Sequence, residues 1–161
     1  MTTLVLVRHA KSDWGRPDLD DHDRPLNDRG RADAPRMARR LAATGIRLDA
    51  ILASTALRAH TTAQVFAAEL GAPLRTDPEL YGAPASVLLQ AAAAEQAGSV
   101  MVVAHDPGMT VLAERLSGGG IGHMPTCAVA LLTWESDDWD VATATPPARW
   151  NIDTPRDVSA D

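Results

Sequence analysis

Lysine is nearly absent from this chain. Of fifteen basic residues only Lys11 is not an arginine, so arginine abundance by itself marks no site. Cysteine is as scarce: Cys127 stands alone, which excludes an internal disulfide and a disulfide-built scaffold and fits a reducing compartment. No apolar run is long enough to span a membrane. The run at 4–7 is too short for a signal h-region and no basic segment precedes it, so a cytoplasmic location is expected. The formal net charge is −6, which argues against a nucleic-acid partner, because phosphate backbones need basic residues clustered on one face. The four tryptophans are not interleaved with basic residues as on a stacking platform. No H-x-x-x-H or H-E-x-x-H pair occurs, so a zinc hydrolase is disfavoured.

What is present reads as alternating strands and helices. Residues 3–7 and 100–104 are almost continuous apolar runs, the pattern of strands covered on both faces. Residues 50–53 and 128–134 are further strands, and 139–145 alternates like an edge strand after a hairpin turn at Asp137-Asp138. Helices are expected over 28–44, 55–70, 84–97 and 107–116. Asn27 or Asp28 caps the first and Gly45 stops it, while Pro35 predicts a kink or a late start. Ser54 or Thr55 is the expected cap of the second. At 161 residues this is one α/β domain spanning 1–161, a three-layer α/β/α sandwich around a mostly parallel sheet. The polar loop at 13–24 and a tail after about 146 are the expected mobile parts.

Two of the buried-type strands end alike. One runs into Arg8-His9 and the other into His105-Asp106-Pro107. In an open parallel sheet, ligands bind in the crevice beyond the carboxyl ends of the strands. Arg58 lies one turn into the helix after 50–53, and its side chain points back toward the same edge. Arg8, His9, Arg58 and His105 therefore converge if the strands are neighbours. Two guanidinium groups clamp phosphate oxygens, a neutral imidazole attacks phosphorus, and a second imidazole binds another oxygen. This is the chemistry of phosphoryl transfer.

Four motifs in order then resemble the histidine phosphatase superfamily, the phosphoglycerate-mutase-like group. They are "RHAKSDW" at 8–14, "RPLNDRGRADA" at 24–34, "STALRAHTTA" at 54–63 and "VVAHDPGM" at 102–109. The likeness covers roughly residues 3 to 117 and is greatest to the SixA-type phosphohistidine phosphatase branch. It implies a phosphoglycerate-mutase-like fold, His9 as the phosphoryl-accepting nucleophile, Arg8 and Arg58 as phosphate holders, and His105 completing the pocket. Ser12, inside the first motif, is a further substrate-binding candidate. The resemblance implies no cofactor and no metal in this step.

The departures point to a substrate. The family's asparagine after the first-motif tryptophan is Gly15 here, and the glutamine of the first-helix segment is Asp33. The family's glutamate general acid, carried on an insertion before the second histidine, has only "DPELYGAP" at 77–84 in its place, leaving Glu79 as a poorly fitting candidate. Proton donation is typically worth ~10²–10⁴-fold for a poor leaving group. A phosphohistidine leaves as an imidazole, with a pKa of about 6.5, and needs far less help. A phosphohistidine-bearing protein is thus the expected substrate and partner. A small phosphorylated metabolite, or a non-catalytic phosphopeptide-binding module, are the alternatives. No particular oligomeric state is implied. The acidic loop at 18–23 lacks the central glycine and terminal glutamate of a calcium loop, so its acids are expected to be solvated or paired with Arg16, Arg24 or Arg29. His60 and His123 are expected to be structural or partnerless, Trp14 to wall the site, and Gly118–Gly120 to be a flexible connection.

Overall fold

The computed structural model describes residues 1–158. Strands β1 (Thr2–Arg8), β2 (Ala50–Ser54), β3 (Leu74–Asp77), β4 (Ser99–Ala104), β5 (Val129–Trp134) and β6 (Arg149–Asp153) form one sheet in the order β3-β2-β4-β1-β5-β6. β3, β2, β4 and β1 run parallel, β5 is antiparallel to β1, and β6 is antiparallel to β5. Helices α1 (Asp28–Ala43), α2 (Leu57–Leu70), α3 (Ala85–Ala94) and α4 (Gly108–Leu116) cover its faces. Two short helices follow, α5 (Trp139–Thr143) and α6 (Pro155–Val158).

The apolar runs at 4–7 and 100–104 are continuous because both faces of β1 and β4 are covered. Along β1, Leu4 and Leu6 join Leu88, Met109 and Leu112 of α3 and α4 on one face. Val5 and Val7 join Met37, Ala38, Ala63 and Phe66 of α1 and α2 on the other. The period-2 alternation of a strand divides one run between two cores. The chain leaving β1 thus enters α1 on one face, and the chain leaving neighbouring β4 enters α4 on the opposite face. A crevice opens between adjacent strands where connections diverge in this way.

Several expectations are corrected. Residues 139–143 are a helix, not an edge strand. Asp138, read as a hairpin turn, is its N-cap, accepting from the backbone N–H groups of Asp140 and Val141. Trp139 and Ala142, one turn apart, are the buried pair. The outer strand is instead β6, inside the segment expected as a tail, so through Val158 that segment is built into the domain. Residues 159–161 of the expected tail lie outside the described residues. α1 begins before Pro35, not after it, with the Asn27 side chain accepting from Gly30 N–H. Gly30 is required there by closeness: a Cβ would lie 2.1 Å from the Lys11 carbonyl oxygen. α1 therefore presses directly on the loop that follows the first strand. The N-cap of α2 is Ala56, with no side-chain cap, because Ser54 and Thr55 are engaged elsewhere.

Candidate active site

The register of β1 on β4 pairs Arg8 with Ala104, so the two chains leave the sheet side by side. His9 N–H continues the ladder to the Ala104 carbonyl at 3.1 Å. His9 and His105 consequently face each other with ring centroids 5.2 Å apart. A cleft of about 250 Å³ opens there, walled by Arg8, His9, Lys11, Ser12, Trp14, Asp21, Arg24, Arg58, His105, Asp106 and Thr126. Arg8, His9, Ser12, Arg58 and His105, expected from sequence, all line it.

His9 is buried, and its Nδ1 lies 2.8 Å from the Ala10 carbonyl oxygen. A carbonyl only accepts, so Nδ1 carries the proton and Nε2 the lone pair. Burial pushes the His9 pKa down to about 3; the Ala10 hydrogen bond opposes this, and neighbouring His105, Arg58 and Arg8 add to it. The ring is therefore a neutral imidazole at physiological pH, with Nε2 as its nucleophilic atom. The segment carrying it is tied from both sides. Ala10 N–H donates to Thr62 Oγ1, which donates to the Arg58 carbonyl. Cys127 N–H is shared between the Arg8 and His9 carbonyls, at 3.0 and 3.1 Å. Cys127 itself is buried, with a thiol pKa pushed up to about 12 by desolvation.

His105 Nε2 lies 2.7 Å from Ser54 Oγ. Ser54 Oγ also accepts from Ala56 N–H at 3.2 Å. His105 Nδ1 is buried and has no hydrogen-bond partner. Burial first, then Arg58, lowers the His105 pKa to about 4. Arg8 Nη1 donates to the Met124 carbonyl at 3.0 Å and lies 3.4 Å from Asp106, whose carboxylate accepts from Thr110 N–H and Oγ1–H. Arg58 donates both terminal nitrogens to Asp21, Nη1 to its carbonyl at 2.6 Å and Nη2 to its carboxylate at 2.9 Å. Arg8 Nε and Arg58 Nε are each buried without a partner.

The sequence assigns no role in the site to Asp21, Asp106 or Tyr81, while the expected pairing of Arg24 with an acid of the 18–23 loop is its contact with Asp21. Asp21 lies on a 3₁₀ turn (Asp21–Asp23) inside the acidic loop. Its carboxylate also accepts from Tyr81 Oη at 2.5 Å and from Arg24 Nε at 3.2 Å. The Tyr81 hydrogen bond chiefly, and Arg58 with it, hold its pKa down at about 2. Asp18 pairs with Arg16 as expected, but Arg29 pairs with Asp33. Ser12 Oγ accepts from Arg24 Nη1 at 2.7 Å, and the Arg24 guanidinium stacks 3.5 Å above the Trp14 ring, whose other face is exposed. Glu79 lies on an exposed turn and does not line the cleft. His60 and His123 are also outside it. Among the described residues, no group of three or more His, Cys, Asp or Glu side chains is disposed to hold a metal ion. Among the same residues, no helix is long and apolar enough to cross a membrane.

A neutral imidazole facing a ring of cationic and N–H donors at a switch point of a parallel sheet defines a phosphoryl-transfer site. The comparisons agree. The model of the histidine phosphatase superfamily (branch 1) matches residues 4–82. The structure superposes on SixA from Agrobacterium tumefaciens with a TM-score of 0.77 and 31% identity, covering 95% of this chain and 96% of that one. It superposes on SixA from Nakamurella multipartitia with a TM-score of 0.82 and 27% identity, covering 96% of each; both are provisionally named phosphohistidine phosphatases. An uncharacterised chloroplast protein of Arabidopsis thaliana is 30% identical over 164 residues, 93% of this chain and 75% of that protein. The chain belongs to the histidine phosphatase superfamily.

Proposed function

We propose that the chain hydrolyses protein phosphohistidine through a covalent phosphohistidine on His9, without a metal ion. The observation that carries the chemistry is the His9 ring, neutral and anchored on Ala10 by Nδ1, so that Nε2 is free to attack. In the first step Nε2 bonds to phosphorus and the phosphorus–nitrogen bond of the substrate breaks. The substrate ring, protonated at the nitrogen that does not carry phosphorus, leaves as neutral imidazole. In the second step water attacks phosphorus, the bond to Nε2 breaks, and phosphate departs with the water's second proton released to solvent. Arg8, Arg58 and His105 hold the equatorial oxygens through both steps.

The carboxylates support the substrate class. Asp21 and Asp106 are the acids that line the cleft, and each faces an arginine. Asp21, with its pKa near 2, holds no proton to give at neutral pH. An alkoxide leaving group would go unassisted, whereas an imidazole needs no such donor. The exposed Trp14 at the rim leaves the mouth open to a protein surface.

The test compares a phosphohistidine protein, phosphoramidate and an alkyl phosphate, each with and without chelator. The expected result is that both phosphorus–nitrogen substrates exceed the alkyl ester by at least about 100-fold in kcat/KM, with no effect of chelator. Equal rates would make the protein a small-molecule phosphomonoesterase. Binding without turnover of any of them would make it a phosphate-binding module.

A further inference from the structure

Arg58 is held differently from every other arginine of the cleft. It is buried at the first turn of α2, yet both of its terminal nitrogens are taken by a single residue of another segment. That residue, Asp21, gives two unlike acceptors, a main-chain carbonyl and a carboxylate. A planar guanidinium bonded at both terminal nitrogens has lost its freedom to rotate. The nitrogen left over is Nε, buried and unpartnered.

Asp21 is itself pinned. Tyr81 Oη donates to its carboxylate from another segment of the chain, and Arg24, which ends the same 3₁₀ turn, donates from three residues on. His22, its neighbour, reaches Thr55 Oγ1 at 2.8 Å and meets the Tyr81 ring edge-on. The 3₁₀ turn is thus fastened to the loop that enters α2 and to the Tyr81 turn. Tyr81 closes the circuit by meeting His105 edge-on, ring centroids 5.5 Å apart. The carboxylate faces three donors, Tyr81, Arg58 and Arg24, and the two arginines are the cations among them.

We propose that Asp21 is a positioning residue, which fixes the orientation of the Arg58 guanidinium beside the phosphoryl group on His9. This rests on the reading of the cleft as a phosphatase site. Asp21 stands in for neither the nucleophile nor a proton donor. It acts through Arg58, and loss of Arg58 should make it irrelevant to activity.

A double-mutant cycle tests this. Asp21→Ala and Arg58→Ala are made singly and together, and read by kcat/KM on phosphoramidate, by inorganic phosphate affinity and by melting temperature. The expected result is a loss of about 10- to 100-fold in kcat/KM for Asp21→Ala, as for a misplaced catalytic group. In the Arg58→Ala background the same change should cost less than about two-fold. Asp21→Asn, which keeps one side-chain oxygen acceptor for Arg58 beside the main-chain carbonyl, should recover part of the loss. An equal loss in both backgrounds, or no loss in the wild-type background, overturns the proposal. If the wild type turns over no phosphate compound, the functional reading fails, and phosphate affinity through the same cycle still decides the positioning role. A lowered melting temperature that Asp21→Asn does not restore, with phosphate affinity unchanged, would mark Asp21 as a structural tie only.

Discussion

Arg8 and Arg58 offer the same guanidinium to the same cleft, but the molecule holds them by different means. Arg8 ends a central strand, and its partners Met124 and Asp106 sit on segments that pack against the core. Asp106 also holds Thr110 in the first turn of α4, so the group that orients Arg8 also starts a helix. Arg58 rises from a helix of the opposite face, and its partner hangs in a polar loop with a side chain 49% exposed. One arm of the clamp comes with the fold, and the other depends on a loop that contributes little to the core. Stability and activity should therefore separate on the loop side and stay joined on the sheet side.

The largest effect should come from the residue between the two arms. His9→Ala should reduce turnover by at least about 1,000-fold and abolish any acid-labile phosphoenzyme trapped by rapid quenching. It should leave the fold intact, because the ring faces the cleft. Substantial residual turnover would remove the nucleophile and with it the meaning of both arms.

Asp106→Ala is the sharper probe of the difference. It should lower kcat/KM and also cost about 1 kcal/mol of stability, the usual loss for a helix cap. In a domain of this size that is about 2–4 °C in melting temperature. Asp21→Ala should lower kcat/KM with little change in melting temperature. If the two variants melt alike, the contrast between the arms is wrong.

A smaller effect concerns pH. His9 and His105, with pKa values near 3 and 4, stay neutral as the pH falls through the ordinary histidine range. After correction for the substrate's own ionisation, kcat/KM should hold flat from pH 8 down to about 5. An acid limb centred near 6.5 would mean that the nucleophile is solvated rather than buried. Stability should behave otherwise. Both folded-state values are depressed, so below about 6.5 the unfolded chain binds protons that the folded chain refuses. The contribution of the two neutral rings is complete above that pH and is lost as pH falls toward 4 and 3, which denaturant titrations across this window would register.

The two arms were also unequally legible. Arg8, His9 and His105 follow strands whose apolar runs are unbroken, and such runs announce central parallel strands. The convergence of these residues was thus readable from pattern. The outer strands were not, because edge strands such as "LRTD" and "RWNID" have little to bury and carry no run. The segment at 139–143 misled because alternation and a one-turn pair are hard to tell apart over five residues, and the Asp138 cap decided for the helix. Asp21 was invisible for a different reason. Its partners Arg58 and Tyr81 lie 37 and 60 residues away, and nothing local in an acidic loop says which of its carboxylates turns inward.

The lone thiol has a practical consequence. Cys127 sits behind the nucleophile, sealed by the core, with its ionisation suppressed. Thiolate, not thiol, reacts with alkylating reagents and oxidants. Peroxide or a thiol-directed electrophile at ordinary concentrations should find no reactive thiol in the native molecule, and the site should persist through thiol oxidation that silences enzymes with exposed cysteines. Labelling, when it occurs, would count the moments at which the whole sandwich has come apart, a clock for unfolding that needs no engineered reporter.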